Sequence, residues 1–299
     1  MVAPAPSPHG GDGPRLAAAL GIDPADVLDL SASLNPVAPD PAPVVARCLD
    51  ALRRYPDPEP ATAALASAMG VDPGRLLLTN GGAEAIALVA AELGPGRVDE
   101  PDFSLYRRHL PAVDPAAPRW RSNPHNPSGL LAAPADTAGV WDEAFWPLST
   151  GTWTRGDAER GSVVVGSLTK LLACPGLRVG YVVSPDAALA RRIRRRQPQW
   201  ALNGLAASAL PALLDPVDLP GWAEATAALR GGLESLLRRA GHQPRRSEAN
   251  WVLVDAPHLR EHLAARAIAV RDCSSFGMPG TVRIAVPDAA GLARLEAAL

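Results

Sequence analysis

The sequence predicts an open α/β domain followed by a smaller C-terminal α+β domain. Three observations carry that prediction. Short apolar runs that read as strands stop at polar or ionisable residues near 79, 142 and 167; a strand, a glycine turn and a helix succeed one another from 75 to 93; and a long helix late in the chain precedes two strands and a closing helix. Open α/β sheets bind ligands beyond their strand ends, so the residues at those stops are the first candidates for function.

Residues 1–14, rich in Pro, Gly and Ala, read as an irregular arm. The pattern is helical over 43–54 and 59–69, with Arg53-Arg54-Tyr55-Pro56-Asp57-Pro58 as a proline-broken connection that leaves Tyr55 on a loop. Residues 75–79 (RLLLT) form a strand that runs into Asn80-Gly81-Gly82-Ala83-Glu84 and a helix to about 93. A weaker strand over 137–141 ends at Asp142, the strand 162–166 (SVVVG) ends at Ser167-Leu168-Thr169-Lys170, and 178–183 makes a further strand. A helical stretch covers 186–214, and the prolines of 211–220 mark a passage to a helix at 221–240, strands at 251–255 and 281–286, and a C-terminal helix. The chain therefore divides into an N-terminal arm (1–42), a large domain (43–214) and a small domain (215–299).

A chain of 299 residues, 47% hydrophobic with a net charge of −2, can bury a full core and gives no reason to expect nucleic acid or an anionic membrane as a partner. The basic run from 191 to 196 reads as a solvated helix face. Cys48, Cys174 and Cys273 are widely spaced and form no CxxC pair, which fits a reducing cytoplasm and no metal site. The first residues lack a signal-peptide pattern, and no run approaches the ~20 apolar residues of a membrane span.

Lys170 is the single lysine among 29 lysines and arginines. An ε-amine can lose its proton and attack an aldehyde, whereas a guanidinium stays protonated and is a poor carbonyl nucleophile. Ser167 and Arg178 flank it at strand ends and suit a phosphate. The S-x-x-K spacing also raises serine acyl transfer, but the SDN and KTG companions are missing. The glycine turn at 80–84 opens a helix whose free N–H groups would face an anion, with Gly82 and Ala83 at its start. Asp142 ends its strand among apolar neighbours, where it reads either as a cap or as a carboxylate that keeps a ring nitrogen protonated. In the proline-fixed turn Asn123-Pro124-His125-Asn126-Pro127-Ser128-Gly129, Asn126 can donate to a phenolate oxygen.

NPHNPSG, DEAF and SLTKLLACPGLRVGY together resemble the ordered motifs of fold type I, aspartate-aminotransferase-like enzymes dependent on pyridoxal 5′-phosphate (PLP). The resemblance implies a large PLP-binding domain with a mainly parallel sheet. It implies that Lys170 binds the cofactor covalently and moves protons, Asp142 pairs with the pyridine nitrogen, and Asn126 bonds the ring oxygen. Gly82, Ala83, Ser167 and Arg178 would hold the phosphate, Phe103 would stack on the ring, and Tyr55 would reach the cofactor of a second subunit, which implies a homodimer. Arg283 would grip the substrate carboxylate.

Within that superfamily, HGG at 9–11, SASLNP at 31–36 and RDCSSFGMPGTVRIAV at 271–286 are most similar to L-threonine-O-3-phosphate decarboxylases of cobalamin biosynthesis, relatives of histidinol-phosphate aminotransferases. His9, Asn35 and Arg271 join Arg283 as candidates for a small phosphorylated amino-acid substrate. Phe145 stands where many aminotransferases carry tyrosine. The stretches 97–122 and 130–141 are short and proline-rich, so a strand or crossover helix should be truncated there, and Trp200-Ala201 replaces a Trp-Ser pair of the substrate pocket. The resemblance points first to decarboxylation, then to transamination, and lastly to a non-catalytic binding protein of the same fold.

Overall fold

The computed structural model describes residues 4–7 and 9–299. In chain order the helices and strands are α1 (Gly13–Leu20), β1 (Leu28–Leu30), α2 (Ala42–Ala46), α3 (Glu59–Met69), β2 (Leu76–Thr79), α4 (Gly81–Leu93), β3 (Arg97–Val98), α5 (Ser104–His109), β4 (Arg119–Ser122), β5 (Val140–Asp142) and α6 (Trp146–Thr150). They continue with β6 (Val163–Ser167), α7 (Leu168–Leu171), β7 (Gly180–Val183), α8 (Ala187–Arg194), α9 (Gly204–Leu214), α10 (Leu219–Arg239), β8 (Trp251–Asp255), α11 (Leu259–Ala264), β9 (Ile268–Asp272), β10 (Thr281–Ala285) and α12 (Ala289–Glu296).

Among the described residues the strands form two sheets. The larger has the order β2-β7-β6-β5-β4-β3 and is parallel except for β7, which runs against β2 and β6. Both faces are buried, as a mainly parallel sheet requires. Leu76, Leu78, Val164 and Val183 point into one apolar core, and Leu77, Val163, Val165 and Val182 into another on the opposite face. Reversal of β7 alone leaves the C-terminal ends of β2, β4, β5 and β6 on one edge, with Thr79, Ser122, Asp142 and Ser167 as their last residues.

The smaller sheet has the order β1-β9-β10-β8 and packs its own core with α10 and α12. Two of its strands were not expected from the sequence. β9 hides its apolar alternation behind Arg271, and β1 is a three-residue piece (LDL) that becomes a strand only by pairing in parallel with β9. The 43–54 helix is likewise shorter than expected: α2 stops at Ala46, a 3-10 turn occupies Leu49–Arg53, and Leu49 and Leu52 are left exposed. The 186–214 helix splits into α8 and α9, with Pro198 in the gap.

The shortened stretches do cost structure. β3 has two residues, and the connection from β4 to β5, all of it described, holds no helix. Its backbone is tied down by side chains instead. Arg155 donates to the carbonyls of Ala133 (2.9 Å), Pro134 (2.9 Å) and Asp136 (3.2 Å) while lying over the Trp141 ring, and Arg121 pairs with Asp136 at 2.8 Å. Asp142 therefore reaches the sheet edge without the crossover helix behind it.

Candidate active site

Lys170 sits on α7, a helix of four residues at the end of β6. So short a helix cannot satisfy its own carbonyls. The arm supplies the partners: the Asn35 backbone N–H donates to Lys170 O, and Asn35 Nδ2 donates to Leu171 O, both at 2.9 Å. Burial, reinforced by Arg283 and Arg178, pushes the Lys170 amine down to about 8, against a weaker opposing pull from Asp142. That places more of it in the nucleophilic form at neutral pH than a lysine in water.

Asp142 accepts from the Ala144 N–H at 3.0 Å on one oxygen and from the Tyr106 hydroxyl at 2.8 Å on the other. Burial raises its pKa, and those two donors and the charge of Lys170 oppose the rise. Tyr106 follows Phe103 by one helical turn in PDFSLY, so the two rings meet edge to face with centroids 5.8 Å apart.

The glycine turn at the start of α4 is built around Arg178. A Cβ at Gly81, whose φ is +78°, would lie 2.4 Å from Arg178 Nη2, so only glycine allows the guanidinium to cross there. A side chain at Gly180 would meet the Gly81 carbonyl carbon at the same 2.4 Å. Arg178 itself is a non-glycine residue at φ 57°, a conformation that a bulky side chain holds only when its surroundings enforce it. Ser167 Oγ lies 2.7 Å from Thr169 Oγ1 beside this turn.

From the other side, Asn126 accepts from Arg283 Nη1 at 2.7 Å through Oδ1. Arg283 lies over the Trp251 ring, whose Nε1 donates to Pro127 O at 2.8 Å, and its register partner on β9 is Arg271. Burial, then the charge of Arg271, pushes the Arg283 guanidinium down to about 9. Two neighbouring guanidiniums on one wall suit an anionic ligand. His9, held edge-on to Phe103 at 6.0 Å, has its pKa lowered by burial, then by Arg271 and Arg108.

One cavity of about 280 Å³ joins these groups: His9, Gly82, Ala83, Phe103, Asn126, Asp142, Ser167, Lys170, Arg178, Arg271 and Arg283 all line it. Asn35 does not line it, because its amide is spent on the α7 carbonyl and on the Val37 N–H. Tyr55 and Trp200 also lie elsewhere, stacked on each other at 4.5 Å and exposed by 77% and 58%. Trp200 lines a larger groove of about 610 Å³, walled by Pro56, Pro58, Gln197 and Leu202, which holds none of the chemistry. Sequence reasoning missed Tyr106 and Ser122 in the cavity wall; the three-residue spacing from Phe103 pointed to the first, and the turn NPHNPSG begins one residue after the second.

A mainly parallel α/β sheet whose strand ends carry one half-buried lysine, an opposed carboxylate and an arginine-backed helix N-terminus defines a PLP-dependent class of protein. The chain belongs to the aminotransferase class I and II family, whose model matches residues 120–299. It is 32% identical to a threonine-phosphate decarboxylase of Salmonella typhimurium, over 98% of this chain and 96% of the relative. It is 30% identical to a histidinol-phosphate aminotransferase of Halorubrum lacusprofundi, over 88% and 85%. Among solved structures, the histidinol-phosphate aminotransferase of Sinorhizobium meliloti in complex with pyridoxal-5′-phosphate superposes with a TM-score of 0.81 at 18% identity, over 96% of this chain and 93% of that one. The family makes this protein a PLP-dependent enzyme, a decarboxylase or an aminotransferase. Among the described residues no helix is long and apolar enough to cross a membrane.

Proposed function

We propose that this enzyme decarboxylates L-threonine-O-3-phosphate, or a close phosphorylated amino acid, to give (R)-1-aminopropan-2-ol phosphate for cobalamin biosynthesis. The observation that carries the reading is the arm. His9 lines the cavity, and the decarboxylase relatives from Salmonella typhimurium and Sinorhizobium align over 98% and 99% of the chain, too much to omit it. The histidinol-phosphate aminotransferases matched by sequence align over 87–91%, and that of Sinorhizobium meliloti superposes over 96%, so the preference for the decarboxylases rests on sequence and not on fold.

The residues fit PLP. The Arg178-backed turn with Gly82, Ala83 and Ser167 suits its phosphate, Asp142 its ring nitrogen, Asn126 its ring oxygen and Phe103 its ring face. When bound, PLP supplies an electrophilic carbon and a ring that takes up electrons. Lys170 contributes the amine that holds it and, once released, carries a proton to the substrate Cα. Asp142, oriented by Tyr106 and Ala144, keeps a proton on the ring nitrogen. Arg283 grips the substrate carboxylate, and Arg271 with His9 takes the phosphate.

Incubation with L-threonine-O-3-phosphate and 2-oxoglutarate tests the reading. CO₂ and aminopropanol phosphate without glutamate are expected; glutamate without CO₂ would assign transamination instead. We also propose a homodimer in which exposed Tyr55 reaches the partner's cofactor, because Tyr55 stacks on Trp200 at the proline-walled groove with both rings exposed, and Leu49 and Leu52, a few residues before Tyr55, are exposed as well. Sedimentation at micromolar concentration should give twice the chain mass of 31.1 kDa, and a monomer would reject the proposal.

A further inference from the structure

Asp102 lies behind the cavity wall and has no part in the chemistry above, yet it is 4% exposed and carries no cationic partner among its hydrogen bonds. Three donors converge on its carboxylate: the Ser122 hydroxyl at 2.5 Å, the Phe103 N–H at 2.7 Å and the Ser122 N–H at 3.2 Å. The Ser122 hydroxyl oxygen in turn accepts the Asn126 N–H at 2.8 Å. Ser122 is also the register partner of Asp142 across β4 and β5. One buried carboxylate thus connects the residue beside the ring face, Phe103, to the residue at the ring edge, Asn126.

We propose that Asp102 is a positioning residue that sets Phe103 and Asn126 together, so that face and edge of the cofactor cavity are held as one unit. The proposal rests on the reading that this cavity binds PLP. It explains why a carboxylate is placed where it must be desolvated. An amide of the same shape has one acceptor oxygen instead of two and would turn an N–H toward at least one of the three donors. Each donor left facing another donor carries a desolvation penalty that the carboxylate, its pKa raised by burial to about 7, avoids once ionised above that pH. The site is one where the crossover helix is missing, so β4 has no apolar layer from that helix to fix Ser122, and the hydrogen bonds of Asp102 take over that task.

The test uses the full chain stripped of cofactor, with PLP titrated back and read by visible absorbance and by the circular dichroism of the bound cofactor band. Asp102→Asn should weaken PLP binding about tenfold or more and reduce the dichroism per bound cofactor. In an Asn126→Ala background the same substitution should cost clearly less, retaining only the part that runs through Phe103. An Asp102→Asn protein with unchanged affinity, or with the same loss in both backgrounds, overturns the proposal, since a merely structural role would add independently. Should Asp102→Asn fail to fold, Ser122→Ala removes the hydroxyl that joins Asp102 to Asn126 while the Phe103 and Ser122 N–H groups still reach Asp102; a few-fold loss is expected, and wild-type affinity overturns the proposal. Borohydride trapping on the wild type separates the two levels. Wild-type protein that fails to capture PLP on Lys170 rejects the functional reading and this inference with it, whereas capture together with an indifferent Asp102→Asn rejects the inference alone.

Discussion

On one side of β6, strands β7 and β2 are backed by α4 and α8 on one face and by α3 and α9 on the other, and Gly82, Ser167 and Arg178 stand on elements wedged between apolar layers. On the other side β5, β4 and β3 have three, four and two residues, and polar side chains stand in for the crossover helix. Arg155 holds the carbonyls of the β4–β5 connection, Asp102 holds the end of β4, and His125 bridges Pro101 O at 2.7 Å and Ser128 Oγ at 2.8 Å. Both halves deliver their residues to one cavity. Catalytic positions sit at strand ends, so a connection can shrink without moving them, provided the freed backbone groups find other partners.

The comparison predicts different weaknesses in the two halves. The largest effect expected on turnover, on the order of a hundredfold or more, is from Asp142→Asn, which removes the charge that the shortened half exists to present; steady-state assay of decarboxylation checks it, and near-normal turnover would detach Asp142 from the chemistry. In the complete half, Leu78→Ala should lower stability by about 2–5 kcal/mol through the cavity it leaves, with PLP affinity nearly kept. In the shortened half, Arg155→Ala should cost about 1–3 kcal/mol, because the buried Asp157 loses one of its two cations and three carbonyls of the connection lose their donor, but should weaken PLP binding as well. Denaturant melts paired with cofactor titration read both, and equal PLP losses in the two variants would erase the distinction.

A pH series sharpens the same contrast. Lys170 has its pKa lowered, so its free-amine fraction grows as pH rises toward and past about 8. The rate of covalent PLP capture by cofactor-free protein should climb between pH 6.5 and 9 and then level, and a flat profile would show that burial does not tune the amine. The smallest effect expected is from Tyr106→Phe, which takes one hydrogen bond from Asp142 and should lower turnover only a few-fold.

How far all this could be read from the chain differs along the cavity. The floor was legible because its information is local: Ser167, Lys170 and Arg178 lie within a dozen residues, and β2, the glycine turn and α4 follow without interruption. Asp142 and Asn126 were legible through their turns. The cap was not, because it is assembled from distant pieces. β1 becomes a strand only against β9, 240 residues away, and Arg271 meets Arg283 only through the pairing of β9 with β10. Asp102 was invisible for the same reason, since its partner Ser122 is twenty residues on and joined to it across a fold rather than a turn. Asn35 could be located but not interpreted: its motif suggested substrate, whereas its amide holds the helix that carries Lys170.

The lone lysine makes the central claim directly testable, because Lys170 offers the only side-chain amine in the chain. Borohydride reduction of the protein in the presence of PLP, followed by peptide mapping, should bleach the visible band and place one pyridoxyl group on Lys170, and Lys170→Arg should show neither. A reduced protein without that modification, or a Lys170→Arg variant with full turnover, would contradict the account.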